Sequence, residues 1–392
     1  MSMVIENASV VTPWGVLENA SIRVVDGIIT RVGQCPTGDS GRRLDAEGMY
    51  VLPGLIDLHS DAIEKEIEPR SGAYFPLNMA VFEMDKKLAA CGITTMYHSV
   101  SIIDNNKDLR DPGVAVRIIR EIGRLAPKLN VRTGVHARFD VQSVNAAHDV
   151  ERLIDDGCVQ LFSIMDHTPG QGQFRKITAY SREYIENYGL EAGRSPALPL
   201  DSDFVMRLVR KCQGRGVPIA SHDDDSIEKL DVVEGMGITI SEFPVSMEAV
   251  VSAAGRGMHI CFGSPNIVRG SSISGNLSAR EAIKAGYGDI ICSDYAPMSL
   301  VHAVFTVESL GIPLHRAVSM ASLNPARATG IDGFTGSIEP GKSADLIIVD
   351  SGEVPKVLKT FVGGREIYST WRSPAAFETP GPSARTGKAW PA

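Results

Sequence analysis

His59 and Asp61 close the run Val51-Leu-Pro-Gly-Leu-Ile-Asp-Leu-His59-Ser-Asp61. Alternate side chains of a strand point the same way, so this spacing aims an imidazole and a carboxylate at one point. Together they are half of a divalent-metal site. An isolated His-x-Asp is more often a satisfied polar pair at a strand end. Four further segments shift the balance. Val131–Asp140 carries His136 and Asp140, of which only one need point inward. His167 follows the apolar run Val159–Met165, with Asp166 beside it to orient it. His222 ends Pro218–Ser221, and Asp223, Asp224 and Asp225 after it read as a helix start with an Asp cap. Asp294 ends the run from Asp289. His98, at another strand end, ranks below these. Three imidazoles and several carboxylates at one rim suit one or two divalent ions with mixed N/O ligands. Such ions make bound water a nucleophile near neutral pH, and a nearby Asp can take its proton.

A second group of residues suits an anion. Gly263-Ser-Pro-Asn266-Ile-Val-Arg269-Gly-Ser-Ser-Ile-Ser274-Gly-Asn276 offers glycines for close backbone approach, hydroxyl donors and one guanidinium. A plain polar loop before a capped helix has the same composition, so both readings stand. Gln171, Arg175 and Lys176, in the segment after His167, and Arg70, in Glu68-Pro-Arg70, add donors near the same rim. No P-loop, GxSxG or dinucleotide fingerprint stands in a strand-to-helix context.

These residues need a scaffold that brings distant strand ends together. Strands are expected at Leu55–His59, Thr94–Ser99, Val131–Phe139, Val159–Asp166, Pro218–His222, Thr239–Phe243, His259–Gly263 and Asp289–Asp294. Amphipathic helices are expected between them, among them Pro112–Leu125, Val144–Asp155, Asp201–Arg215, Ser246–Ala254 and Ser278–Ala285. This alternation predicts an α/β (β/α)8 TIM barrel over residues 51–334, with its active site at the carboxyl ends of the strands. Residues 1–50 and 335–372 read as short strands with turns at Asp26-Gly27 and Gly363-Gly364. They are expected to form one small β-sandwich domain from both chain ends. Thr168–Pro199 exceeds an ordinary βα loop and reads as a lid or substrate loop. The Pro/Gly-rich tail 373–392 fits either a segment without its own core or one packed on a neighbouring subunit of a homo-oligomer.

Composition narrows the function classes. The net charge of -8 argues against nonspecific nucleic-acid or anionic-membrane binding, while leaving room for a local cationic cluster. Six cysteines without CxxC spacing read as buried thiols of a reducing compartment. The first residues lack a basic region followed by a long apolar run, so a cytoplasmic location without a membrane span is expected.

Three blocks carry a family resemblance: Val51–Asp61, Gly92-Ile-Thr-Thr95 and Gly341-Lys-Ser-Ala-Asp-Leu-Ile-Ile-Val-Asp350. They resemble the amidohydrolase superfamily over nearly the whole chain. Met165-Asp-His-Thr-Pro-Gly-Gln171, Ser221-His-Asp-Asp224, Pro265-Asn-Ile-Val-Arg-Gly270 and Ser293-Asp-Tyr295 are similar to one branch, the phosphonate metabolism protein M family of alpha-D-ribose 1-methylphosphonate 5-triphosphate diphosphatases. The resemblance implies a phosphorylated-sugar substrate and hydrolysis of its triphosphate to a 5-phosphate plus pyrophosphate. It implies His59, Asp61, Asp140, His167 and His222 as metal residues and Asp294 as ligand or general base. Arg70, Gln171, Arg175, Lys176, Asn266, Arg269 and Ser274 would hold the substrate. Asp140 stands where this branch would carry Glu. His167 falls on the fourth strand, whereas the superfamily usually takes its single His ligands from the fifth and sixth. Zinc is the first choice of ion, with manganese, iron or nickel as alternatives. A cyclic-amide or N-acyl amino acid hydrolase of the same superfamily is the second reading, and a barrel that binds without catalysis the third.

Overall fold

The computed structural model describes residues 2–34, 41–104, 106, 108–167, 172, 199–273 and 275–370. Sixteen strands are described. β1 (Ser2–Thr12), β2 (Gly15–Val25), β3 (Ile28–Gly33), β4 (Arg42–Asp45) and β5 (Tyr50–Pro53) come first. The next eight are β6 (Leu55–Ser60), β7 (Ile93–Ile102), β8 (Arg132–Asp140), β9 (Leu161–Met165), β10 (Ile219–His222), β11 (Ile240–Glu242), β12 (His259–Gly263) and β13 (Ile290–Cys292). β14 (Leu346–Asp350), β15 (Lys356–Val362) and β16 (Arg365–Ser369) end the series.

β6 to β13 pair in chain order, all parallel. A parallel bridge between Ser60 and Asp294 joins the last strand to the first. This is the (β/α)8 barrel. Helices cover it for the usual reason, an apolar stripe at i, i+3, i+4 and i+7. In Pro112–Leu125 that stripe is Ala115, Ile118, Ile119, Ile122 and Leu125, all buried. Asp111 caps this helix by accepting from the Val114 N–H, and Pro112 occupies a first-turn position where no N–H is needed.

The run Val51–Leu58 forms two strands, not one. Pro53 and Gly54 break it, so β5 joins the end sheet and β6 the barrel. A Cβ on Gly54 would overlap the Thr94 side chain, so the two strands can swing past β7 only with glycine here. Strands from both chain ends form one mixed eight-stranded sheet, in the order β16-β15-β14-β5-β1-β2-β3 with β4 also on β1. Ile5, Val10, Ile22, Ile29, Val51, Ile348 and Phe361 form its core. Buried Asp345 ties this sheet to the barrel. It accepts from Thr335 Oγ1 (2.7 Å), Ser343 Oγ (3.0 Å) and Gly363 N–H (2.8 Å), and pairs with Arg132 at the start of β8.

Candidate functional site

The barrel interior is apolar below and polar above. Ile56, Leu58, Tyr97, Leu161, Ala220, Ile240, Cys261, Ile290 and Cys292 fill the lower part. On β6 the pairing register slips between Asp57 and Ser60. Ile56 and Leu58 face the interior below the slip, and His59 and Asp61 line the mouth above it. A bulge of this kind re-aims side chains at a strand end, so simple alternation from Leu58 would have misplaced them. On β8 the alternation holds. Val135, Ala137 and Phe139 pack outward into the helix layer, so His136, Arg138 and Asp140 share the inward face. Only one of His136 and Asp140 needed to point inward; both do, because a spacing of four returns to the same side.

The mouth is a cleft of about 420 Å³. His59, Asp61, His222, Asn266, Arg269 and Asp294 line it, together with Glu64, Lys65, Arg110, Arg138 and Phe243. Asp140 and His167 do not line it. They pair with each other, His167 Nδ1 lying 2.8 Å from Asp140 Oδ2. Arg70 is exposed and stands outside the lining. Gln171, Arg175, Lys176 and Ser274 lie outside the described residues, as does nearly all of the long loop after His167. Asn266 spends its amide on its own loop: Nδ2 donates to Leu277 O (3.2 Å) and Oδ1 accepts from the Ala279 N–H (3.1 Å). The helix after His222 is capped by Ser226, not by an Asp. Asp224 is instead buried between Ser221, Ser241 and Lys229.

Two groups went unremarked in the sequence. Glu242 ends β11 on the same parity as inward Ile240, which was the available signal. Arg138 was hidden between two better-known ligand types. The His59, His136 and Glu242 donor atoms lie within 4.8 Å of one another, all buried. His136 Nδ1 lies 2.9 Å from Leu58 O, an acceptor only, so Nδ1 carries the proton and Nε2 presents a lone pair. Nε2, His59 Nδ1 and both Glu242 carboxylate oxygens are buried without hydrogen-bond partners. Such orphaned donors are costly unless something charged joins them. Nitrogen and carboxylate oxygen are what a divalent cation accepts, so the residues fit a metal.

Burial governs the electrostatics. It pushes His136 down to about 3 and His59 well below its ordinary value, so both rings are neutral. Burial and the neighbouring Asp61 charge push Asp294 up to about 8. Burial also raises Asp61, with Glu64 adding to it while Arg110 and Arg138 pull the other way. At Asp223, burial is outweighed by His222, His167 and Lys229, which hold the carboxyl below its usual range.

Three cleft residues, just after β10, β11 and β13, have left-handed backbone: Asp223 (φ 54°), Phe243 (φ 53°) and Asp294 (φ 57°). Each donates its N–H across to a neighbouring strand, to Glu242 O, Cys261 O and His59 O respectively. For a Phe this conformation is unusual, and the ring it places packs edge-on to His59 (4.9 Å between centroids) and against His222 (5.1 Å).

The parallel barrel with nitrogen and carboxylate donors at its carboxyl-end rim defines a hydrolase of the amidohydrolase type. Residues 203–367 match the model of the Amidohydrolase family. Alpha-D-ribose 1-methylphosphonate 5-triphosphate diphosphatase of Escherichia coli (strain K12) is 33% identical over 324 residues, 78% of this chain and 84% of its own length. The chain belongs to the amidohydrolase superfamily, in the phosphonate metabolism protein M family represented by that relative. The dihydroorotase of Pelotomaculum thermopropionicum is 24% identical over 410 residues, 89% of each chain. The solved dihydropyrimidinase from Brevibacillus agri NCHU1002 has a TM-score of 0.66 at 13% identity, covering 94% of this chain and 95% of its own, a likeness of fold.

Proposed function

We propose that this chain hydrolyses alpha-D-ribose 1-methylphosphonate 5-triphosphate to the 5-phosphate plus pyrophosphate, as a step of phosphonate catabolism. The observation that carries the reading is the E. coli relative at 33% identity, matched to a cleft that mixes buried donors with cations. A bound divalent ion would supply Lewis acidity toward a phosphoryl oxygen and toward water. The remaining work falls to the chain. Arg269 at the rim and Lys65, Arg110 and Arg138 along the cleft favour a polyanion over a neutral amide. Water attacks the phosphorus nearest the ribose, its bond to the bridging oxygen breaks, and pyrophosphate leaves. Asp294 takes the proton of the attacking water. Burial and Asp61 raise this carboxyl to about 8, and a bound cation beside it would lower that value, leaving a carboxylate to accept the proton near neutral pH. Phe243, beside His59 and His222, keeps water off one side of the cleft.

The test is product analysis with and without added divalent metal. Metal-dependent pyrophosphate release from the ribosyl triphosphate is the expected result. The dihydroorotase relative favours a second reading, opening of a cyclic amide. Amide-ring opening without pyrophosphate release would replace the first reading with that one.

A further inference from the structure

We infer that Arg280, which stands outside the cleft, is the positioning residue of an anion-binding turn: its guanidinium clamps the chain so that Arg269 meets the pyrophosphate group. This rests on the polyphosphate reading of the cleft, but its test needs no ribosyl substrate.

Two arginines flank one turn, and their guanidiniums are spent differently. Arg269 ends the short helix Ser264–Arg269 and lines the cleft. It is exposed and has no hydrogen bond or ion pair among the described residues. Arg280 lies on the next helix, Ala279–Lys284, and is absent from the lining. Its Nε donates to Ile267 O (2.5 Å) and its Nη2 to Val268 O (2.7 Å). Last-turn carbonyls have no donor within their own helix, so a guanidinium there supplies both the hydrogen bonds and a favourable charge.

The same guanidinium braces the turn itself. Gly270 closes the helix with φ 85° and donates its N–H to Asn266 O (2.8 Å). A Cβ on Gly270 would lie 3.2 Å from Arg280 Nη1 and 3.3 Å from Cζ, so the guanidinium packs directly on the glycine. Ser278 Oγ donates to Gly270 O (3.2 Å), and the Asn266 amide holds Leu277 O and the Ala279 N–H. The Leu277 N–H donates to Val245 O (3.2 Å), which ties the far end of the turn to the segment after β11. Between these fixed ends, Ser271, Ser272 and Asn276 line the cleft with Arg269. A polar connection that merely joined β12 to a helix would need no such clasp. Holding the turn in place before the anion arrives removes an ordering cost from binding. The planar fork of an arginine reaches two carbonyls at once, which the point charge of a lysine does not.

Calorimetric titration of the metal-loaded, full-length protein with inorganic pyrophosphate tests the role. Arg269→Ala should weaken binding about 10-fold or more, as loss of a charge-assisted contact does. Arg280→Gln should weaken it roughly 3–10-fold, the cost of ordering a side chain on binding. Combined with Arg269→Ala, it should add almost nothing. Arg280→Lys, which keeps the charge, should recover only part of the loss. Gly270→Ala changes no charge and should act as Arg280→Gln does, which keeps the test open if that variant folds poorly. Hydrogen exchange of ligand-free protein should quicken over residues 264–273 in Arg280→Gln but not in Arg269→Ala. No pyrophosphate binding by the parent, undiminished affinity in Arg280→Gln, losses that multiply in the double variant, full recovery by Arg280→Lys, or unchanged exchange would overturn the assignment. If these results hold and the parent releases no pyrophosphate from the ribosyl triphosphate, the hydrolysis reading falls and the clamped turn stands.

Discussion

Replacing His98 with Leu should make the protein less sensitive to acid. His98 lies on β7 on the same parity as Met96, Val100 and Ile102, which pack into the outer helix layer. It is 2% exposed and absent from the cleft lining, so it is no ligand of that site. Burial alone pushes its imidazole down to about 4. In the unfolded chain the ring titrates near pH ~6.5. The folded value is the depressed one, so below that pH the unfolded state binds the extra proton and stability falls as pH falls. The fall from about 6.5 to about 4 is worth about 3 kcal/mol once pH lies below both values. Between about pH 7.5 and about pH 5, roughly 2 kcal/mol of that is lost. Leu is uncharged at every pH and close in size. Equilibrium urea unfolding of chelated protein, followed by circular dichroism at both pH values, should show the variant losing about 2 kcal/mol less than the parent. Equal losses in the two proteins would refute the reasoning, because they would mean that His98 keeps an ordinary affinity for protons when folded.

Three further outcomes are expected. Asp294→Asn should lower kcat on the ribosyl triphosphate by roughly 10²–10⁴ with KM little changed, in steady-state assays of pyrophosphate release. The same change should flatten part of the stability profile of chelated protein. Asp294 is raised to about 8, so the native state keeps a proton that the unfolded chain gives up near pH ~4, and stability falls as pH rises between them. Arg269→Ala should lower kcat/KM for the triphosphate about 10-fold or more, mainly through KM, since a charge-assisted contact is worth about 1.5–3 kcal/mol, and it should leave any amide turnover unchanged. Gly54→Ala should cost about 1–3 kcal/mol by overpacking against Thr94, measured as a lower melting temperature with metal content per folded chain unchanged.

The barrel could be read from sequence because its strands are built on short apolar or small-residue runs and segments between them, such as Pro112–Leu125, carry helical periodicity. Pro112–Leu125 has in the structure the bounds expected of it, since Asp111, Pro112 and the apolar stripe all mark the same helix. The site was less readable, for two reasons. Ligand-type residues were visible one at a time, but which of them neutralise each other depends on neighbours across the barrel. Asp140 and His167 are adjacent only because β8 and β9 pair in register from His136–Leu161 to Asp140–Met165. Arg138 meets His222 across the interior, and no spacing along the chain signals that. Glu242 escaped because a single acid after Ile240 and Ser241 looks like a strand end facing solvent, and only the parity of β11 turns it inward. The bulge in β6 had no signal that alternation could carry.

The barrel's seam runs through Asp294. Ser60 Oγ donates to the Asp294 carbonyl (2.6 Å) across 234 residues of sequence, the Asp61 N–H donates to the same oxygen (3.1 Å), and the Asp294 N–H returns to His59 O (2.8 Å). The carboxylate proposed to take the proton is thus delivered by the last staves of the cylinder, after His59, His136 and Glu242 in chain order. On that reading a refolding chain would become compact before it could turn over substrate. Recovery of activity on refolding would then time the moment the ring zips shut, not the moment the chain becomes compact.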